Sequence, residues 1–165
     1  MGLDRAGTPP PPVGLDQVRA ARELLAGVVT TTPVAGARAL SEPAGGPVLL
    51  KCENLQRTGS FKIRGAYTRL RRLDERERAR GVVAASAGNH AQGVALAAQI
   101  LGIRATVFMP EGAALPKIDA TRGYGADVHL VGATIEQSIG SAVEFAEQTG
   151  AVLVHPFDHP DVIAG

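Results

Sequence analysis

Tryptophan is absent from this 165-residue chain, and aromatic residues together make up only 4% of it. That scarcity argues against an antiparallel sandwich and suits parallel strands packed with Val, Ile and Ala. A single cysteine, Cys52, excludes an internal disulfide and any multi-cysteine metal site, and it fits a reducing compartment such as the cytoplasm. No apolar run approaches the ~20 residues of a membrane span. The N-terminus also lacks the apolar stretch of a secretory signal. Charge of one sign is missing too: a net charge of +1 gives no electrostatic reason to expect nucleic acid or an anionic membrane as partner. Lysine is the last scarcity. Lys51, Lys62 and Lys117 are the whole set in a chain that otherwise uses arginine. A lysine kept in such a chain points to a position where arginine, which cannot shed its proton, would not serve.

What is present reads in order along the chain. Residues 1 to 14 carry Pro9-Pro10-Pro11-Pro12 among Gly and Thr and are expected to form a disordered leader. Asp16 reads as the N-cap of a first helix ending near Gly27, Pro47 to Glu53 as a short strand, and residues 61 to about 80 as a second helix. Arginines crowd that second helix, but Asp74, Glu75 and Glu77 are interleaved with them, which predicts a solvated, salt-laced face. After Gly81 the pattern becomes regular. Strands are expected over 82–85, 104–109, 127–131 and 151–154, and helices over 89–101, 114–124 and 134–149, with Gly102, Gly125 and Gly150 ending the helices. Parallel strands need crossover helices, so this alternation predicts an α/β fold with a parallel, doubly wound sheet. Residues 81–155 then form a small α/β domain, residues 15–80 the start of a larger one, and 156–165 a return to it. The abrupt end at Gly165 reads as a chain cut rather than finished.

Two segments suggest chemistry. In Ser60-Phe61-Lys62-Ile63-Arg64-Gly65-Ala66 a lysine lies between a bulky aromatic and a glycine-softened turn. An amine attacks a carbonyl only when neutral, and Phe61 as apolar cover and Arg64 as a neighbouring charge would both favour that form. The plainer alternative is a solvated helix lysine. The second segment, Ser86-Ala87-Gly88-Asn89-His90-Ala91-Gln92-Gly93, follows a strand and opens a helix, where unpaired N–H groups and the helix dipole attract anions. A capped helix without ligand is its plainer alternative. Walker A chemistry is excluded because Val94-Ala95 stands where Lys-Ser/Thr is required, and the dinucleotide glycine fingerprint is absent. His155, Asp158, His159 and Asp161 look like metal ligands on paper. Pro156 and Pro160 prevent the helix that would align the two histidines, so no metal site is expected. Lys117 reads as a surface residue.

Taken together, the two segments resemble the N-terminal motifs of the threonine dehydratases (threonine ammonia-lyases), in the tryptophan synthase β-like, fold type II group of pyridoxal 5'-phosphate enzymes. Met109-Pro110-Glu111-Gly112 and His155-Pro156-Phe157-Asp158 are similar to that family as well. The resemblance implies that Lys62 forms the internal Schiff base with pyridoxal 5'-phosphate, that Phe61 packs beside its ring and that Asn89 hydrogen-bonds its phenolic oxygen. Ser86, Gly88, Asn89 and His90 would hold the substrate carboxylate. Ala87 stands where serine racemases, which are similar, carry a second acid/base, so elimination is implied over racemisation. The implied reaction converts L-threonine to 2-oxobutanoate and ammonia, and L-serine to pyruvate, in either isoleucine synthesis or threonine breakdown. A full-length protein of this family is expected to be a homo-oligomer. Its cofactor-phosphate loop and the hydroxyl residue at its ring nitrogen fall beyond Gly165, so this chain alone is expected to be inactive. The other reading is a non-catalytic fragment or small-ligand-binding α/β module.

Overall fold

The computed structural model describes residues 13–165; residues 1–12, which hold most of the expected leader, lie outside the described residues. The chain enters α1 (Leu15–Leu24) with Gly14, not Asp16, in the capping position. The Gly14 N–H donates to the Gln17 side-chain oxygen at 2.6 Å, and Asp16 falls in the first turn, where its charge suits the helix dipole. After Thr32-Pro33 a ribbon forms: β1 (Val34–Gly36) pairs antiparallel with β2 (Leu49–Lys51), and a single turn of helix, α2 (Arg38–Ser41), lies between them. The strand expected over 47–53 is shorter because Pro47 has no N–H for the ladder and Glu53 opens a 3₁₀ turn.

The helix expected over 61–80 is two helices, α3 (Lys62–Arg71) and α4 (Glu75–Arg80). Asp74 divides them. Its carboxylate accepts the Glu77 N–H at 2.7 Å while the Glu77 carboxylate accepts the Asp74 N–H at 2.9 Å, a reciprocal cap worth about 1 kcal/mol. The arginine face is also less solvated than its charge pattern predicts. Arg69 and Arg72 reach Asp161 at 3.5 and 2.5 Å, and Arg78 donates to the carbonyls of Leu73 and Arg71.

From Gly81 the elements follow the sequence pattern to within a residue or so. They are β3 (Val82–Ala85), α5 (Asn89–Leu101), β4 (Ala105–Met109), α6 (Leu115–Gly123), β5 (Asp127–Leu130), α7 (Ile135–Thr149) and β6 (Val152–Leu153). All pairings are parallel, in the order β5-β4-β3-β6. The first two crossovers, through α5 and α6, step one way along the sheet, and the third, through α7, steps back past β3. With the right-handed crossovers that are the rule for such units, that reversal puts α7 on the face opposite α5 and α6, as the two separate core clusters show, and the sheet is doubly wound. Gly102 and Gly150, at φ 66° and 72°, close α5 and α7 in the left-handed conformation that favours glycine.

Alternation along the strands sorts the core. Val82, Ala84, Val107 and Met109 pack with Ala91, Val94 and Ala95 of α5, while Val83 and Phe108 pack with Ala142 of α7. The outer side of α5 is covered by α3 through Ile63, Ala66, Tyr67 and Leu70. Complete burial of Ile63 and Leu70 contributes roughly 1.5–3 kcal/mol each. Outside α3 lies the last helix, α8 (Pro160–Ala164). It approaches so closely that a Cβ on Gly65 would stand 2.6 Å from the Val162 carbonyl oxygen. Gly65 therefore sits inside α3 for packing, and the turn expected there does not exist.

Candidate active site

A bend tied down on both sides delivers Lys62 to the first position of α3. Gln56 is buried, and its side-chain amide accepts the Thr30 N–H and donates to the Thr30 carbonyl, both at 2.8 Å. Thr58 and Gly59 then adopt φ 65° and 69°, which reverses the chain. Left-handed backbone is strained for threonine, and the Thr58 hydroxyl is buried without a partner. Ser60 accepts the Lys62 N–H at 3.4 Å. Sequence reasoning did not single out Gln56 or Thr58.

The Lys62 ammonium donates to the Pro156 carbonyl at 2.7 Å and lies 5.1 Å from the centroid of the Phe61 ring. Burial holds its pKa below the usual lysine range, because removing a charge from water favours the neutral amine. Arg64, expected to assist, does not. Its guanidinium makes a two-pronged pair with Glu53, at 2.7 and 2.8 Å, and holds that carboxyl down at about 2. The pair turns Arg64 toward Glu53, and burial alone accounts for the Lys62 shift.

Lys62 opens onto a cavity of about 270 Å³ whose walls include Phe61, His90, Pro156, Phe157 and Ile163. That volume is near the lower end of small-molecule sites, and an apolar wall with one amine is the usual composition of such a site. His90 is 4% exposed and its Nε2 lies 2.9 Å from the Val154 carbonyl. A carbonyl only accepts, so Nε2 carries the proton. Burial, against the help of that carbonyl and with repulsion from Lys62 and His155, pushes the His90 pKa down to about 4. The ring is neutral near pH 7.

Three of the expected site residues, Phe61, Lys62 and His90, are thus brought together around one cavity. Ser86, Gly88 and Asn89 are not among its walls; they occupy the loop at the head of α5, which no side chain caps. Ser86 accepts the Gly88 N–H at 3.1 Å, and the first N–H groups of the helix have no partner within it. Asn89 is engaged from outside: its side-chain oxygen accepts from Lys117 at 2.9 Å. Lys117, read from sequence as a surface residue, therefore belongs to the loop's surroundings. Because that contact takes up the oxygen, the amide NH₂ is left to donate elsewhere. The loop is a concentration of donors suited to an anion.

The histidines of the last segment act as caps. His155 accepts the N–H groups of Phe157 and Asp158 at 3.3 and 2.7 Å, and His159 accepts that of Asp161 at 3.1 Å. Among the described residues, no group of three or more His, Cys, Asp or Glu is placed to hold a metal ion. A larger hollow of about 520 Å³ is lined by Arg22, Thr30, Lys51 and Arg64. Two of its cations are committed, Arg64 to Glu53 and Lys51 to the Thr32 carbonyl at 2.7 Å.

Residues 25–165 match the model of a family described as pyridoxal-phosphate dependent enzyme. An L-threonine ammonia-lyase of Thermotoga maritima is 56% identical over 153 residues, 93% of this chain and 38% of that protein. Among solved structures, a serine racemase from Dictyostelium discoideum superimposes with a TM-score of 0.83 at 40% identity, over 93% of this chain and 50% of that one. The processed form of threonine deaminase isoform 2 from Solanum lycopersicum gives 0.80 at 41% identity, over 92% of this chain and 43% of that one. The chain spans half or less of the length of each.

Proposed function

Because this chain belongs to the pyridoxal-phosphate-dependent enzyme family, we propose that the whole protein is an ammonia-lyase that converts L-threonine to 2-oxobutanoate and ammonia, with L-serine as a slower substrate giving pyruvate. The observation that carries the reading is a half-buried lysine amine, its pKa lowered by burial, in an apolar cavity that it shares with a residue of the uncapped α5. Threonine as substrate rests on the similarity to the Thermotoga ammonia-lyase.

The residues present fit the cofactor. A lysine amine nearer to neutrality is the group that bonds an aldehyde carbon, and the exposed Phe61 ring beside it offers a face for stacking. Asn89, its oxygen turned to Lys117, keeps its NH₂ for a phenolic oxygen. When bound, the cofactor supplies the electron-withdrawing ring that makes the Cα proton of an amino acid removable. The remaining work falls to this chain. Ser86, Gly88, Asn89 and His90 would hold the substrate carboxylate, His90 through its main-chain N–H because its ring is committed to Val154. Lys62 would take the Cα proton as general base, and the Pro156 carbonyl 2.7 Å away keeps its amine oriented. Ala87 brings no proton donor to the loop. With a single base, proton removal is followed by loss of the β-hydroxyl rather than by return of a proton from the other side.

Lys62→Ala in the whole protein tests this. Release of 2-oxobutanoate from threonine should vanish while the variant still folds; wild-type turnover would refute the assignment. No helix among the described residues is long and apolar enough to cross a membrane, and a cytoplasmic location agrees with the free thiol of Cys52.

A further inference from the structure

Two carbonyls in residues 154–157 are taken up by two side chains of the site. The Val154 oxygen accepts from His90 at 2.9 Å, and two residues later the Pro156 oxygen accepts from Lys62 at 2.7 Å. The Val154 N–H is held by the Val83 carbonyl at 2.9 Å, as the sheet ends. His155 folds back to accept from Phe157 and Asp158, and Pro156 has no N–H to offer. The position of the Pro156 carbonyl therefore depends on where Val154 is fixed, and among the described residues the only hydrogen bond to the Val154 carbonyl comes from the His90 ring.

We propose that His90 is a positioning residue: by holding the Val154 carbonyl it sets the register of residues 154–157, and so places the Pro156 carbonyl that receives the Lys62 amine. The catalytic meaning rests on the ammonia-lyase reading, whereas the geometry does not. Val154 is 1% exposed, so its carbonyl has no access to water that would replace a lost donor. The His90 ring is 4% exposed and borders the cavity at Lys62. Lys62 and His155 are the charged or titratable groups it feels. A neutral ring keeps its Nε2 proton and places no second cation beside Lys62.

The test uses the whole protein, freed of cofactor and substrate. Trace acetylation with acetic anhydride, followed by mass spectrometry across a pH series, reports the ionisation of Lys62 with Lys51 and Lys117 as internal references. His90→Gln keeps an N–H donor and should keep the wild-type profile. His90→Phe keeps a ring but no donor; the loosened segment admits water, and the Lys62 midpoint should move to higher pH while the two reference lysines stay unchanged. A folded His90→Phe protein with a wild-type Lys62 profile overturns the proposal. Should that variant not fold, the wild type decides: proton–nitrogen correlation spectra should show His90 protonated at Nε2 only, with no titration between about pH 5 and pH 8. A ring protonated at Nδ1, or charged in that range, overturns it equally. Neither readout involves turnover, so their failure leaves the Lys62→Ala result standing, and the reverse also holds.

Discussion

Gly93 in α5 faces the backbone of Lys62, and replacing it by alanine sets two known effects against each other. A Cβ at this position would lie 3.0 Å from the Lys62 carbonyl carbon and 3.1 Å from both its carbonyl oxygen and its Cβ. None of these atoms is the free end of a flexible side chain, so α3 and α5 must move apart by a few tenths of an ångström. On propensity alone, alanine inside a helix is favoured over glycine by about 1 kcal/mol. Overpacking a close-packed interior costs about 1–3 kcal/mol. Since α5 is clamped between the sheet and α3, it has little room to yield, and the second effect should win by about 1 kcal/mol. For a domain of this size that lowers Tm by roughly 2–4 °C, measurable by circular dichroism. Turnover in the whole protein should suffer more, by about tenfold or beyond, because the displaced backbone carries the amine and catalysis is steep in position. A Gly93→Ala protein about 1 kcal/mol more stable than its parent, with unchanged turnover, would show that this glycine does not set the spacing of α3 and α5.

Two further outcomes follow from paired and titratable groups in the fold. Asp161→Ala strands Arg69, whose side chain is only 16% exposed and whose Nε is already unpartnered, and should cost about 2–3 kcal/mol in urea unfolding; an unchanged midpoint would mean that the Arg69–Arg72–Asp161 cluster is ornamental. Acid should act in two stages. The His90 value in the fold, about 4, lies below its ordinary 6.5, so its contribution is whole above pH 6.5 and is lost as pH falls toward 4, about 3 kcal/mol in all. Glu53, held at about 2 against an ordinary 4.5, contributes above pH 4.5 and fades toward pH 2; about half of a 3 kcal/mol limit remains once water screens this partly open pair. Unfolding by urea at a series of pH values should show His90→Gln lacking most of the first stage, the remainder coming from His159, whose pKa burial also lowers, and a wild type equally stable at pH 7 and pH 4.5 would contradict it.

The crossovers from Gly81 to Val154 were legible because short apolar runs and helical periods alternate there without interruption, and left-handed glycines mark two of the ends. Legibility failed where local signals were weaker than tertiary ones. A three-residue strand such as Val34–Gly36 has no room for an alternating pattern, and it exists because Leu49–Lys51 pairs with it. The break at Asp74 was written in the sequence, since an aspartate followed three residues later by Glu77 is a capping box, but the run of charges around it looks like continuous helix surface. Asp161 as partner of Arg69 and Arg72 was hidden by distance along the chain, with nearer carboxylates offering a plausible but unused alternative.

At the site, side chains with reactive groups were legible and their partners were not. Phe61, Lys62 and His90 could be named because their chemistry is in their side chains. The groups that orient Lys62 and His90 are the carbonyls of Pro156 and Val154, and a sequence does not say where a carbonyl points. Gly65 and Gly93 were legible as glycines, yet their purpose, the approach of α8 and of the Lys62 backbone, appears only when the helices are stacked. A lysine in an apolar cavity needs an acceptor that adds no full negative charge, because a carboxylate at 2.7 Å would hold the ammonium form and undo the lowering that burial achieves. A main-chain carbonyl meets both conditions. The consequence is that the reactivity of Lys62 is set by backbone placement, and substitutions that move residues 154–157 or the α3–α5 contact should alter it more than changes to the nearest charged pair, Arg64 and Glu53, which face each other.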